Sequence, residues 1–250
     1  MKTTVIIPTF NRVKTLPHAI RSLTAQRGDV DLDILVINDG STDGTGDLLD
    51  DLSGKIPELR VVTKANQGVC AARNTGLDNL LPETSLVSFL DSDDISPKGR
   101  FAADIPHFIE NPDIELTYGR MMYVDALDYE NGIPAKGSKQ ADIIGVQLSS
   151  AIFKRSLIDR IDKFDPEMIQ GEDTDFLLRV FEANTRYVQT DTMCVYYLRH
   201  PDSLMKDGKE AARYFALAIR KSMLRRKADP SIVLNKPDFD VMALKKTGYF

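Results

Sequence analysis

Leu86-Val87-Ser88-Phe89-Leu90-Asp91-Ser92-Asp93-Asp94 is the stretch that decides the fold. An apolar run of strand length ends abruptly in three carboxylates within four residues. A buried strand that delivers acids to the lip of a sheet has this form. Carboxylates held together repel and raise each other's pKa unless a cation lies among them. A hard divalent ion, Mg²⁺ or Mn²⁺, suits such a donor set and often holds substrate phosphates as well. The same residues also fit a solvated acidic turn, and the DxD pattern alone does not separate the two readings.

The chain before this stretch alternates between two periods. Thr3-Thr4-Val5-Ile6-Ile7-Pro8 reads as a strand buried on both faces. After the polar loop Thr9-Phe10-Asn11-Arg12, residues Leu16, Ile20 and Leu23 fall on one helical face, with Pro17 in the first turn. A second strand, residues 33–37, runs into Asn38-Asp39-Gly40-Ser41-Thr42-Asp43-Gly44, a loop of turn formers and helix caps. A helix with Leu48, Leu49 and Leu52, a strand over 59–63, the loop Asn66-Gln67-Gly68-Val69 and a helix over 70–81 complete the series. This order predicts a mainly parallel sheet with helices on both faces. Ligands bind such sheets at the strands' C-terminal ends, so Phe10, Asp39 and Asp91 should meet in one cleft.

The second half is less regular. Residues 97–109 read as a helix and 114–118 as a strand. Residues 128–142, with Gly132, Pro134 and Gly137, read as a mobile loop, and 143–153 fits helix or strand. Residues 172–183 form a helix with Phe176, Leu177, Val180 and Phe181 inward, and 195–198 a strand leading to Arg199-His200-Pro201. From about residue 206 the chain reads as an appendage. Its helix, 210–227, is amphipathic and basic, with Phe215, Ile219 and Met223 on one face and Arg213, Arg220, Arg225 and Arg226 elsewhere.

Composition narrows the classes. A chain of 250 residues, 42% hydrophobic and 28% charged, is an ordinary globular protein with a real core. A net charge of −5 argues against a nucleic-acid binder. Cys70 and Cys194 make neither a disulfide framework nor a zinc site, which fits a reducing cytosol. Residues 1–8 hold only a short apolar run cut by Pro8, so neither a signal peptide nor a transmembrane segment is expected.

Five motifs then occur in order: Ile7-Pro8-Thr9-Phe10-Asn11; Asn38-Asp39-Gly40-Ser41-Thr42-Asp43; Asn66-Gln67-Gly68 with Ala71-Ala72-Arg73-Asn74-Thr75-Gly76; Phe89-Leu90-Asp91-Ser92-Asp93-Asp94; and Gly171-Glu172-Asp173 with Phe176 and Arg179. Together, over residues 1 to about 205, they resemble the family 2 glycosyltransferases of the GT-A fold. The resemblance implies a Rossmann-like α/β domain with a C-terminal helical appendage. Residues 1–100 would be its nucleotide-sugar-binding half, 101–205 its acceptor-binding half and 206–250 the helical extension. Pro8, Thr9, Phe10, Asn11, Asp39, Arg73, Asp91 and Ser92 would hold the nucleotide, Asp39 by accepting a hydrogen bond from the base. Asp93 and His200 would hold Mn²⁺ or Mg²⁺, with Asp94 behind them. Asp173 would be the catalytic base, with Glu172 as the competing acid. The region of Ser149 and Ser150 would face the acceptor. Where the family usually has Asp, this chain has Asn38. Each residue also has a plainer reading: Asp39 as a turn cap, Arg73 as an exposed helical arginine, His200 as a structural histidine, Glu172-Asp173 as acids on a helix dipole.

The resemblance implies an inverting, metal-dependent transferase that moves a sugar from a nucleotide-diphosphate donor, most commonly a UDP-sugar, to an acceptor hydroxyl. The setting it implies is polysaccharide or lipid-linked oligosaccharide synthesis, with a carbohydrate or lipid-linked acceptor. The expected location is the cytoplasm, or the inner face of the cell membrane if helix 210–227 rests on anionic lipid. Its apolar face also suits packing on the core or on a second subunit in a homodimer, the reading preferred over the membrane. Two other classes share the architecture, a non-catalytic nucleotide-sugar-binding scaffold and a sugar nucleotidyltransferase. The latter's glycine-rich first loop is missing, no P-loop is present, and Gly44-Thr45-Gly46 is a weak dinucleotide match.

Overall fold

The computed structural model describes residues 1–199 and 208–237. Strand β1 (Lys2–Thr9) is buried from Thr3 onward. Its β-branched residues pack on both faces, as a central parallel strand requires. β2 (Asp31–Asn38) lies parallel to it with Val5 opposite Ile34, and β3 (Leu59–Thr63) extends the sheet beyond β2. β4 (Leu86–Phe89), which carries the acidic motif, pairs parallel on β1's other side. Helices α1 (Leu16–Thr24), α2 (Thr45–Ser53) and α3 (Val69–Asp78) make the connections between these strands.

Beyond β4 the sheet turns mixed. α4 (Arg100–Glu110) leads to β5 (Leu116–Val124), a small hairpin of β6 (Leu127–Asp128) and β7 (Ile133–Pro134), and β8 (Gln140–Ile144). β9 (Ala151–Lys154) inserts antiparallel between β4 and β5. After α5 (Arg155–Ile161) and α6 (Glu172–Glu182), β10 (Tyr187–Leu198) pairs parallel with β5 at the edge, and β8 pairs antiparallel with β5. The period-two alternation of β1 sorts its side chains into two apolar layers. Ile6 faces Phe89, Phe153, Phe176 and Val180 on one side. Val5 and Ile7 face Leu16, Ile20, Phe101 and Phe108 on the other.

Three expectations are corrected. Residues 128–142 are not a loose loop. Tyr129 stacks on His18 with ring centroids 4.5 Å apart, and Arg21 Nη2 donates to the carbonyls of Tyr129 and Glu130, fastening the hairpin to α1. The strand expected at 195–198 begins at Tyr187, its first half disguised by Gln189, Thr190, Asp191 and Thr192. The third correction concerns α7 (Gly208–Ala228), which turns a different face inward. Tyr214, Ala218 and Ser222 are buried, the first two packing with Met168 and Leu178, while Phe215 and Met223 are 57% and 59% exposed. Arg225 turns in as well, pairing with Asp175 at 2.9 Å and Glu182 at 2.6 Å, and Lys221 pairs with Asp165 and Glu167. Small residues bring the helix close, and four carboxylates hold its cations. Among the described residues no helix is long and apolar enough to cross a membrane.

β10 slips register against β5 between Gln189 and Met193 and again before Val195. The displaced stretch presses on Gly119. A Cβ there would meet the Thr192 carbonyl at 2.5 Å, Thr190 Oγ1 at 2.8 Å and Cys194 Sγ at 2.9 Å. Gly119→Ala is therefore expected to cost about 1–3 kcal/mol by overpacking. The check is a lower urea midpoint at unchanged m-value.

Candidate active site

The strand ends place the first layer of the site. Asn11, in a left-handed conformation at φ 53°, accepts from Thr42 N at 2.7 Å, and its own N–H donates to Ser41 Oγ at 2.9 Å. Asn38 accepts from Ser41 N, three residues on, at 3.0 Å and so ties its own turn. The loops after β1 and β2 are thus locked together. Pro8 and Thr9 are buried, whereas Phe10 is 43% exposed. Asp39 is not open in the same way. Its side chain is 3% exposed, paired with Lys64 Nζ at 2.8 Å and accepting from Gln67 N and Gly68 N, the latter at 2.7 Å. It caps the loop that begins α3 rather than its own turn.

Arg73 is the centre of the second layer. It is buried in α3, where Nη1 pairs with Glu172 and Nη2 donates to Asp91 Oδ1 at 3.1 Å. Its guanidinium also lies over the Phe164 ring, 5.7 Å from the centroid. Burial works against its charge, but Asp91, Glu172 and Asp173 together outweigh it and raise its pKa. The arginine is therefore not an exposed helical one; it ties the acidic motif to the start of α6. Glu172 is itself buried, and desolvation lifts its carboxyl above the ordinary range against the pull of Arg73. Asp173 beside it is half-buried, accepting from Thr174 N at 2.7 Å. Its charge is felt at both Arg73 and Asp91, which places it on the same cleft. Gly171, at φ 64°, sets the turn that brings α6 in.

The acids of the DxD turn differ from one another. The Asp91 side chain is 37% exposed, Asp93's 18%. Ser92 is buried. Asp93 Oδ2 lies 3.5 Å from Arg12 Nε. Asp94 is 1% exposed, accepts from Leu198 N at 2.9 Å through Oδ1, and has no partner at Oδ2 among the described residues. Burial, then the charges of Asp93 and Asp91, push its carboxyl well above the usual range. An antiparallel bridge between Ile95 and Tyr196 stitches the turn to the end of β10.

Ser149 and Ser150 are both buried, and Ser150 Oγ is committed to its own turn with Gly145 O and the N–H of Gln147. His200 lies outside the described residues. Three tyrosines that no motif marked line the acidic turn. Tyr129 OH donates to Asp93 O at 3.5 Å, and burial with the nearby Asp93 and Asp94 pushes its pKa up to about 12. Tyr123 and Tyr197, with ring centroids 4.9 Å apart, are raised too, first by burial, with a further push from the charge of Asp94. Lys64 and Arg12 also escaped the motif reading. Only their places just past β3 and β1 could have pointed to them.

Among the described residues no three ligating side chains converge as a ready metal cage. The oxygen-only donors of the turn, with an orphaned carboxylate oxygen on Asp94, nevertheless fit a hard cation. Such ions are commonly held by one or two carboxylates, with substrate phosphates and water completing the shell.

The family model described as glycosyl transferase family 2 matches residues 4–159. The chain belongs to that family. It is 24% identical over 217 residues to the glycosyltransferase EpsJ of Bacillus subtilis, covering 80% of this chain and 62% of that one. It is 23% identical over 231 residues to the hyaluronan synthase of Pasteurella multocida, covering 89% of this chain but 23% of the synthase. The chain thus spans less than two thirds of the length of these relatives. Its fold is that of the S. aureus TarS fragment 1–349 solved with UDP-GlcNAc, at TM-score 0.70 and 23% identity over 90% of this chain and 66% of that one. The mannosyltransferase PcManGT of Pyrobaculum calidifontis, solved with GDP-Man and Mn²⁺, superposes at TM-score 0.60 and 17% identity over 99% of this chain and 79% of that one. The mixed, mainly parallel sheet is accordingly of the GT-A type.

Because the folded state holds the Asp94 proton above the unfolded chain's pKa, its stabilising contribution is present in acid. It is lost as pH rises through the raised value. Asp94→Asn keeps an acceptor for Leu198 N and removes the buried charge. It is expected to stabilise the fold at neutral pH by about 1 kcal/mol and to flatten the fall in stability above the ordinary carboxylate range. Urea melts across a pH series check both.

Proposed function

We propose that the chain catalyses glycosyl transfer from a nucleotide-diphosphate sugar to an acceptor hydroxyl, with inversion. The observation that carries this reading is Arg73, one buried cation that draws Asp91 and Glu172 together beside Asp173 at the C-terminal lip of the sheet. The first 100 residues would hold the donor, and residues 101–205 would shape the acceptor side. The donor is a UDP-sugar, a choice supported by the TarS complex with UDP-GlcNAc and by a carboxylate, Asp39, beneath the loop that a base would meet. For Asp39 to bond the base, the loop of Gln67 and Gly68 must yield part of its present hold. Phe10 offers the exposed ring on which a base can stack.

Asp93 would hold Mn²⁺ or Mg²⁺, with Asp94 behind it and His200 as a further ligand. The cation would supply charge neutralisation on the departing diphosphate. Arg73 donates to Asp91 and holds it in place. Asp173 would take the acceptor proton as its oxygen attacks the anomeric carbon, opposite the leaving group. Glu172 is the weaker candidate for that role, because its carboxylate is spent on Arg73 and buried. The acceptor is a carbohydrate or lipid-linked saccharide of surface-polymer synthesis, and the outward apolar and basic residues of α7 suit work at a membrane surface.

Asp173→Asn is expected to lower turnover by about 10²–10⁴ while leaving UDP affinity within about twofold. UDP release from a UDP-sugar and calorimetric UDP titration measure the two. Wild-type turnover in the mutant would sink the base assignment. Titration of the wild type with UDP and with GDP, each with Mn²⁺ and with EDTA, tests the donor. UDP binding that needs the metal is the expected outcome, and binding of GDP alone would redirect the base.

A further inference from the structure

Arg12 sits where the acidic turn of β4 meets the loop after β1. Its backbone is fixed on both sides. The N–H donates to Thr45 Oγ1 at 3.0 Å, and the carbonyl accepts from Thr15 N and Leu16 N at the start of α1. The side chain leaves this anchor toward Asp93, with Nε 3.5 Å from Oδ2. Two other ion pairs of the site are closer, at 3.1 Å for Arg73 with Asp91 and 2.8 Å for Lys64 with Asp39. Arg12 is also far more open, 31% exposed against 7% for Arg73. A long, part-exposed pair of this kind has little net strength and exchanges readily. The carboxylate it faces is the one the proposed function assigns to a metal ion.

We propose that Arg12 is a placeholder cation: it neutralises Asp93 when no donor is bound and turns to the donor's diphosphate when a divalent ion takes Asp93. The inference rests on the metal and nucleotide role proposed above. A divalent ion arriving alone meets a guanidinium beside its ligand, and like charges at such range oppose binding. A nucleoside diphosphate arriving with the ion brings the anionic oxygens that a guanidinium grips by two parallel hydrogen bonds. Arg12 thereby makes metal binding conditional on the nucleotide, a positive coupling between two ligands of one site. An arginine that merely propped Asp93 in place would help both ligands, so the two roles differ in sign.

The test uses the full chain, wild type, Arg12→Gln and Arg12→Lys, titrated calorimetrically with MnCl₂ alone, with UDP in EDTA, and with UDP plus Mn²⁺. Arg12→Gln is expected to tighten Mn²⁺ alone by about fivefold. It is expected to weaken UDP titrated with Mn²⁺ by about tenfold. Arg12→Lys should fall between on both measures. Shifts of the same sign, no shift in either, or no Mn²⁺ binding by any of the three proteins would overturn the placeholder. A wild type that binds Mn²⁺ but neither UDP nor GDP would instead sink the donor-site reading, and the Mn²⁺ arm would still decide the placement of Arg12.

Discussion

One guanidinium joins the two halves of this molecule. Asp91 arrives on the strand-first half of the chain, and Glu172 on a helix 81 residues later, as the numbering shows. Neither carboxylate would settle beside the other without Arg73 between them. The arginine is sealed by Phe164 beneath it and by the Phe89, Phe153 and Phe176 cluster around that ring. Once it is in place, Asp173 follows, since Glu172 and Asp173 are consecutive residues at the start of α6. The geometry of the cleft is therefore set by a buried charge network, with apolar packing as its foundation.

The sheet gives that network a rigid floor. β1 lies between β2 and β4 in parallel register, so the loops carrying Asn11, Asn38 and the acidic turn emerge side by side. Side-chain amides and hydroxyls then fasten loop to loop, Asn11 to Thr42 and Ser41, Asn38 to Ser41. Such local bonds explain why so many turn-forming residues are concentrated there.

The first half of the fold was legible because its signals are local. Alternating strand and helix periods, with Gly and Asn at the turns, place β1 to β4 and α1 to α3 to within a few residues. The second half was harder for a physical reason. β10 carries polar residues along a slipped register, and β8 and the β6–β7 hairpin take their order from partners distant in sequence. For the site, the motifs drew the eye to Asp91, Arg73 and Asp173, and the structure brings these into one cleft. Arg12, Lys64 and Tyr129 carried no pattern, since their significance lies wholly in what faces them across the fold. The orientation of α7 was misread for a similar reason. Its inner face is chosen by Asp165, Asp175 and Glu182 on other elements, which helical periodicity alone does not register.

The seat of α6 has a consequence for how the chain responds to its surroundings. Two cations grip this helix: Arg73 at Glu172, and Arg225 at Asp175 in the first turn and Glu182 in the last. The first grip is dry and the second is partly wet, with Arg225 28% exposed. Mobile ions screen the wet contact far more than the dry one. A rise in ionic strength therefore weakens the hold of α7 on α6 before it reaches the buried pair of Arg73 and Glu172.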